Sequence, residues 1–147
     1  MSAHKPLEGV KVVELASFVA APTAGRMMAE MGADVIRVES TAGDPWRFYG
    51  ANCGLPITDE ENPLFDIYNL GKKDIQLNTK TPEGKEILFH LLDEADVFIT
   101  NNRLKSLVRS GLDYESLKDR FPKLIYGLVT GYGQTGPDVD APGYDGV

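Results

Sequence analysis

The stretch from Val10 to Glu39 limits the choice of fold more than any other part of the sequence. It begins with an apolar, β-branched run at residues 10–15, which has the length of a buried strand. A helical segment follows, with Pro22 in its first turn and Gly32 at its end, and residues 35–38 form a second apolar run. The pattern predicts a strand–helix–strand unit whose two strands pair in parallel through a right-handed crossover.

The predicted helix has an apolar face and a first turn of small residues. Ala24, Met27, Met28 and Met31 recur at helical spacing, and we expect them to face the core. The small residues at 20–25 leave room for a ligand beside the helix N-terminus, where free N–H groups favour anions. Ligands of open parallel sheets bind at the carboxyl ends of the strands, so a nucleotide-like ligand fits this place. Close packing of the helix on the sheet explains the same small residues equally well.

Composition and charge narrow the class of protein. The 147 residues are enough for one domain with its own core, and 42% of them are hydrophobic. The net charge of -7 argues against nucleic acid or an anionic membrane as the main partner, although a local basic patch can still bind phosphate. Cys53 is the only cysteine, so neither an internal disulfide nor a cysteine-based metal site is predicted. With no signal peptide and no membrane span in the sequence, we expect a cytoplasmic protein.

Strands and helices alternate along the rest of the chain. Residues 74–77, 96–101 and 124–129 form further strand-like runs. Between the first two runs, Thr81 and Pro82 begin a helix as its N-cap and its first residue. This alternation predicts an α/β fold with a mainly parallel sheet. The chain ends in a turn-rich segment without a closing helix, and we interpret it as part of a larger enzyme.

Two polar segments have alternative interpretations. The segment Ser40–Pro63 is long for a loop and contains an aromatic cluster at residues 46–49. The cluster either covers a ligand or anchors the segment on the core, and we favour the anchor. Lys72 and Lys73 follow Gly71 in a predicted turn, where lysines are usually solvated, so we expect both to be exposed.

Seven segments of the chain form an ordered set of motifs. They are LEGVKVVELASFVAAPTAGRMMAEMGADVIRVES, GDPWR, NLGKKDIQLNTKTPEGKEIL, ADVFITNNR, GLDYESLK, PKLIYGLVTGYGQTGP and PGYDGV. This set, in unbroken order from Leu7 to Val147, resembles the N-terminal part of the family III CoA-transferases, which include α-methylacyl-CoA racemases. The resemblance implies that residues 1–147 are the N-terminal part of a Rossmann-like, CoA-binding large domain. It also implies that the full-length chain forms an interlocked homodimer.

The family moves CoA from an acyl-CoA to a free carboxylic acid, and the resemblance implies this activity for the full-length protein. An aspartate of the enzyme attacks the thioester to give a mixed anhydride, which CoA thiolate converts to an aspartyl-CoA thioester. The acceptor carboxylate repeats these steps in reverse, so neither a metal nor a tightly bound cofactor is needed. The resemblance places this aspartate beyond Val147, and we expect the chain alone to be inactive. Asp145 matches an acidic residue beside the site and is a candidate auxiliary group.

The same motifs imply which residues contact CoA. The basic residues are expected to bind its phosphates, since a guanidinium presents a planar fork of donors. The other residues are expected to hold the adenosine, the pantetheine and the thioester end. The predicted set is Val19, Ala20, Arg37, Ser40, Leu77, Asn78, Thr79, Lys80, Asn101, Asn102, Arg103, Arg109 and Asp145.

The sequence departs from the family pattern at three positions that bear on substrate. Residues 101–105 lack the aromatic residue and the Pro-Gly of the usual N-F-R-P-G motif, which changes the packing against adenine. Val19 replaces a glutamine that contacts the reacting carbonyl in a formyl-CoA transferase, which indicates a different acyl group. Tyr144 stands at the position of the racemase histidine, so it disfavours racemisation.

Several functions are compatible with the pattern. It most resembles family members of anaerobic amino-acid fermentation, which act on 2-hydroxy acids such as 2-hydroxyisocaproate or phenyllactate. Carnitine, bile-acid and short-chain substrates are alternatives, as are a racemase and a CoA-binding module without activity. An NAD-dependent dehydrogenase is less favoured, because Glu39 has the place of a ribose-binding acid but SFVAAPTAG lacks the G-x-G-x-x-G motif.

Overall fold

The fold is built on one parallel sheet. The computed structural model of the chain describes residues 4–144. The strand order is β3-β2-β1-β4-β5, and every neighbouring pair is parallel. The predicted α/β class and the parallel pairing of the first two strands are therefore confirmed. The strands are β1 (Lys11–Leu15), β2 (Asp34–Glu39), β3 (Lys73–Gln76), β4 (Val97–Thr100) and β5 (Ile125–Leu128).

The helices connect the strands. Thr81 and Pro82 are the N-cap and the first residue of the fourth helix, as predicted, and the Thr81 hydroxyl accepts the N–H of Gly84 at 3.1 Å. Within residues 4–144, no helix has the length and apolar character needed to cross a lipid bilayer. The helices are α1 (Ala20–Glu30), α2 (Trp46–Tyr49), α3 (Pro63–Asn69), α4 (Pro82–Asp93), α5 (Leu104–Ser110) and α6 (Tyr114–Leu117), and a 3₁₀ turn spans Gly50–Cys53.

The sheet carries an apolar layer on each face. Successive residues of β1 point to opposite faces, because side chains alternate along a strand. Val12 packs in a cluster with Ala21 of α1 and Val35, whereas Val13 packs in a second cluster with Leu88 of α4. Helices therefore cover both faces, which explains why the strands read as nearly continuous apolar runs.

The bounds of α1 agree with the prediction, and its buried face agrees in part, since Ala24 and Met28 pack against the core cluster. The helix ends just before Gly32, which has a φ of 103°. It buries Ala21 and Gly25 against the sheet, while Met27 and Met31 are exposed. The prediction that these two methionines face the core is therefore wrong. Small side chains bring the helix close to the sheet, and these two longer side chains lie on its outer side.

The segment after β2 is folded and anchored. It contains α2 and the 3₁₀ turn rather than a wholly irregular loop. Trp46 stacks on Tyr49 with ring centroids 4.7 Å apart and meets Tyr68 of α3 edge-on at 6.0 Å. The guanidinium of Arg47 lies 3.7 Å from the ring centroid of Phe65 in α3. The aromatic cluster thus anchors this segment on α3, which is the interpretation that the sequence favoured.

Candidate functional site

A cleft opens at the carboxyl edge of the sheet. The chain runs outward from β1 to β2 and β3 and then returns to β4 on the other side of β1, so the winding reverses between β1 and β4. Open parallel sheets bind their ligands at such a switch point. The cleft has a volume of about 120 Å³ and is bordered by the ends of β1 and β2 and by the segments after β2, β3 and β4. Its position makes it the first candidate for ligand binding.

Segments far apart in sequence bring several predicted CoA contacts to this cleft. One comes from the residue after β2, two come from the turn after β3, and one comes from the turn after β4. Val19 and Ala20 lie at the start of α1, just beyond the end of β1. Asn78 and Lys80 lie in the turn after β3, where Asn78 Oδ1 accepts the N–H of Lys80 at 3.2 Å. The predicted residues that line the cleft with incompletely buried side chains are Ser40, Leu77, Thr79 and Asn102.

Asn101, another predicted CoA contact, binds the backbone of the turn after β1. Its Oδ1 accepts the N–H of Ser17 at 3.0 Å, and its Nδ2 donates to the carbonyl oxygen of Ser17 at 2.7 Å. Both ends of the amide therefore hold the turn that follows β1. We interpret Asn101 as a support of the cleft wall rather than a direct contact of CoA.

A second, larger cavity lies on α5. It has a volume of about 260 Å³ and is lined by Arg103, Lys105, Ser106, Arg109 and Asp140. Lys105 and Asp140 form an exposed ion pair with an N–O distance of 2.6 Å. The two arginines are exposed and give this surface a cationic character on an acidic protein. The predicted residues thus fall into two places, a cleft at the sheet edge and a basic cavity on the helix after β4.

Arg37 is buried among carboxylates, which argues against its predicted role as a phosphate ligand. Its side chain has no exposed surface, although it borders the floor of the cleft. The guanidinium pairs with Glu14 at 3.3 Å and with Asp74 at 3.3 Å. It also pairs with Glu39 and Asp44, both buried. A fully buried guanidinium whose charge is compensated by four carboxylates is poorly placed to bind a phosphate of CoA.

The pairing of Glu39 also removes the basis of the dehydrogenase alternative. Glu39 accepts hydrogen bonds from Arg47 Nε at 2.9 Å, in addition to its pairing with Arg37. Only 3% of its surface is exposed. A buried carboxylate that already pairs with two arginines is poorly placed to hold a ribose hydroxyl. Asp145, the other predicted acidic residue, lies outside the described residues.

A buried ion pair beneath α1 was missed by the sequence analysis. Lys72, predicted to be solvated, has only 1% of its side chain exposed. Its Nζ lies 2.8 Å from Glu14 Oε2, 2.8 Å from the carbonyl oxygen of Pro22 and 2.9 Å from Asn69 Oδ1. Burial raises the pKa of Glu14 and lowers the pKa of Lys72, because a low-dielectric environment disfavours both charged forms. The available signal was Glu14 itself, an acidic residue inside an apolar strand.

The turn between β1 and α1 is strained. Phe18 has a φ of 64°, and among residues 4–144 it is the one non-glycine residue with a positive φ. This conformation costs on the order of 1–3 kcal/mol for a side chain of this kind. The N–H of Phe18 donates to Asp44, at 3.1 Å to Oδ2 and 3.3 Å to Oδ1. Asp44 also accepts the N–H of Trp46 at 2.8 Å, so one buried carboxylate joins this turn to the segment after β2.

The comparison with protein families identifies the chain. The model of CoA-transferase family III matches residues 7–147. The chain belongs to this family. The match confirms the resemblance that the ordered motifs indicated, and it covers both cavities described above.

Enzymes and structures of the family are similar to this chain over most of its length. A cinnamoyl-CoA:phenyllactate CoA-transferase of Clostridium sporogenes is 54% identical over 137 residues, which is 93% of this chain and 33% of the relative. An (R)-2-hydroxy-4-methylpentanoate CoA-transferase of Clostridioides difficile is 48% identical over 139 residues, which is 95% of this chain and 35% of the relative. The chain therefore spans about a third of the length of these curated relatives.

A solved structure of the family supports the fold. The crystal structure of a CAIB/BAIF family protein from Brucella suis superposes with a TM-score of 0.89 at 44% sequence identity. The superposition covers 97% of this chain and 38% of that chain. The parallel sheet described here is therefore that of the family.

Proposed function

We propose that the full-length protein carrying this chain transfers CoA from an acyl-CoA to a free 2-hydroxy carboxylic acid. The observation that carries the proposal is the 54% and 48% identity to two transferases whose names specify phenyllactate and 2-hydroxy-4-methylpentanoate. Both substrates are carboxylic acids with a hydroxyl group on the carbon next to the carboxylate. Each match extends over more than nine-tenths of this chain.

In this proposal the two cavities divide the CoA molecule between them. Arg103 and Arg109 of the basic cavity bind phosphate groups, since exposed guanidinium groups present several donors to phosphate oxygens. The cleft at the sheet edge takes a neighbouring part of the same ligand, because Asn102 in the cleft directly precedes Arg103 in the basic cavity. The start of α1 then lies toward the thioester. Because these arginines form a local cationic surface, the protein can bind an anionic ligand although its own net charge is -7.

The chemistry in this proposal is divided between this chain and the rest of the protein. This chain binds and orients the acyl-CoA. An aspartate outside it attacks the thioester carbonyl, and CoA thiolate leaves. The thiolate then attacks the aspartyl carbonyl of the resulting anhydride, which forms an aspartyl-CoA thioester and releases the donor acid as its carboxylate. The carboxylate of the 2-hydroxy acid takes the place of the first acyl group when these steps run in reverse. The family resemblance supports an interlocked homodimer in the cytoplasm as the working form.

The first test is an acyl-exchange assay on the full-length protein. Cinnamoyl-CoA is the donor, and the acceptors are (R)-phenyllactate and (R)-2-hydroxy-4-methylpentanoate, with product acyl-CoA measured by chromatography. The matched control acceptor is 3-hydroxy-3-phenylpropanoate, which has the same atoms as phenyllactate with the hydroxyl moved by one carbon. We expect kcat/KM at least about tenfold higher for the 2-hydroxy acids, because a site built to bind the hydroxyl leaves polar groups unpaired with the isomer.

Two results would contradict the proposal. Equal rates with both hydroxy isomers would remove the 2-hydroxy preference but keep the transferase. A folded full-length protein that binds CoA and exchanges no acyl group with any of these acids would instead favour a CoA-binding protein without transferase activity.

A further inference from the structure

The turn from Ser17 to Phe18 is held from two sides by side chains of other segments of the chain. Asn101 binds the N–H and the carbonyl oxygen of Ser17 from the end of β4. Asp44 binds the N–H of Phe18 from the segment after β2. The hydrogen bonds from Asn101 and from Asp44 thus hold successive residues of the same turn. This turn leads directly into Val19 and Ala20 at the start of α1.

The Asp44 side chain is itself held in place by ion pairs to the sheet. The Asp44 carboxylate pairs with Arg37, and both side chains are almost fully buried. Arg37 in turn pairs with Glu14 of β1 and Glu39 of β2, which are part of the rigid sheet. The strands therefore fix Arg37, Arg37 fixes Asp44, and Asp44 fixes the position of the Phe18 N–H. A neutral side chain at position 44 would lose the ionic link to Arg37.

We propose that Asp44 is a positioning residue for the transferase site. It holds Phe18 in its left-handed conformation and thereby presents the start of α1 to the acyl-CoA in one fixed geometry. This inference rests on the proposed function, because the turn matters for catalysis only if acyl-CoA binds beside it. Preorganised contacts of this kind raise the rate because the protein does not have to order them during the reaction.

The test compares Asp44→Asn with Asp74→Asn in the full-length protein. Asp74 is the control, since it pairs with the same guanidinium at 3.3 Å and with Arg47 at 2.7 Å but, by the contacts described, does not bind the turn. We expect Asp44→Asn to lower kcat/KM for acyl-CoA about tenfold at a temperature at which both variants are folded. Hydrogen exchange of the Phe18 amide should accelerate in Asp44→Asn and stay slow in Asp74→Asn.

A second pair of variants tests the turn without replacing any charged residue of the buried network. Phe18 is 46% exposed, so both Phe18→Asn and Phe18→Val are expected to fold. Both remove the ring, but asparagine tolerates the left-handed conformation and the β-branched valine does not. We expect kcat/KM to be about tenfold lower for Phe18→Val than for Phe18→Asn if the conformation of the turn is what matters.

The outcomes separate this inference from the proposed function. If the wild-type protein exchanges acyl groups but Asp44→Asn and Asp74→Asn lose activity equally, and the two Phe18 variants do not differ, Asp44 has only a structural role. If the wild-type protein exchanges no acyl group, the proposed function fails, and this inference fails with it as a statement about catalysis. The exchange of the Phe18 amide would then report only on the conformation of the turn.

Discussion

Lys72 and Lys73 are neighbours in sequence, yet their side chains have opposite environments. Lys72 is 1% exposed and binds Glu14 beneath α1, whereas Lys73 is 67% exposed and pairs with Asp34 at the surface. The difference arises because Lys73 begins β3 and points outward, while Lys72 precedes the strand and points inward toward β1. At the scale of single residues, environment decides what a charge contributes. An exposed pair contributes little, and a buried pair costs much to break.

Replacing each lysine by methionine tests this difference directly. We expect Lys72→Met to lower the free energy of unfolding by about 3 kcal/mol, since it leaves the buried Glu14 carboxylate with Arg37 alone. Lys73→Met is the control, and its change should stay within about 1 kcal/mol. Urea unfolding of the full-length protein, followed by circular dichroism, measures both. Equal effects of the two substitutions would contradict the buried pair.

At the scale of secondary-structure elements, α1 and β1 approach each other so closely that only glycine fits at one position. A Cβ atom added at Gly25 would lie 1.8 Å from Glu14 Oε2 and 3.3 Å from Lys72 Cε. The carboxylate cannot move away freely, because Lys72 and Arg37 hold it. The close packing of α1 on the sheet and the position of the buried ion pair between Glu14 and Lys72 therefore depend on each other.

Gly25→Ala should therefore destabilise the protein even though alanine is the better helix former. Alanine contributes about 1 kcal/mol in helix propensity, and we expect overpacking against Glu14 to outweigh it and give a net loss of about 2 kcal/mol. Glu30→Ala, on the exposed side of the same helix, loses only a surface pair with Arg26 and should change stability by less than about 1 kcal/mol. Thermal unfolding of both variants provides the comparison, and a stabilised Gly25→Ala variant would refute the close contact.

The elements of this fold could be predicted from sequence more completely than the site could. Apolar runs and turn residues placed the parallel strands and the start of α4, because periodicity and capping are local signals. Met27 and Met31 were assigned to the wrong face of α1, since the small residues that permit close packing carry little hydrophobic signal. The burial of Arg37 and of Lys72 could not be predicted for a different reason. Both pair with Glu14 of β1, and only the folded sheet brings this carboxylate to them.

At the scale of the whole molecule, an acidic protein must bind an anionic ligand through a local surface. The basic cavity on α5 provides such a surface, and Arg109 in the last turn of this helix is one of its basic residues. The cavity contains three basic residues and one acidic residue. Because this charge is local, its effect on binding should fall as ionic strength rises.

Arg109→Ala should weaken CoA binding without weakening the fold. We expect the Kd for CoA to rise about tenfold, as loss of one charged hydrogen bond to phosphate predicts. Lys123→Ala is the control, because it removes one positive charge from an exposed position that lines neither of the two cavities described. Calorimetric titration of the full-length protein with CoA at two salt concentrations measures the effect. An unchanged Kd in Arg109→Ala would remove this residue from the binding site.

The strand order also has a consequence for how the protein is made. The central strand β1 pairs with β2 on one side and with β4 on the other, and Val12 of β1 pairs with Val97 of β4. A ribosome synthesises the first side well before the second. Until residues 97–100 have left the exit tunnel, one edge of β1 has no partner strand, and exposed edges of this kind invite pairing with other chains. The growing polypeptide therefore passes through a vulnerable stage in which its central strand is paired on one side only.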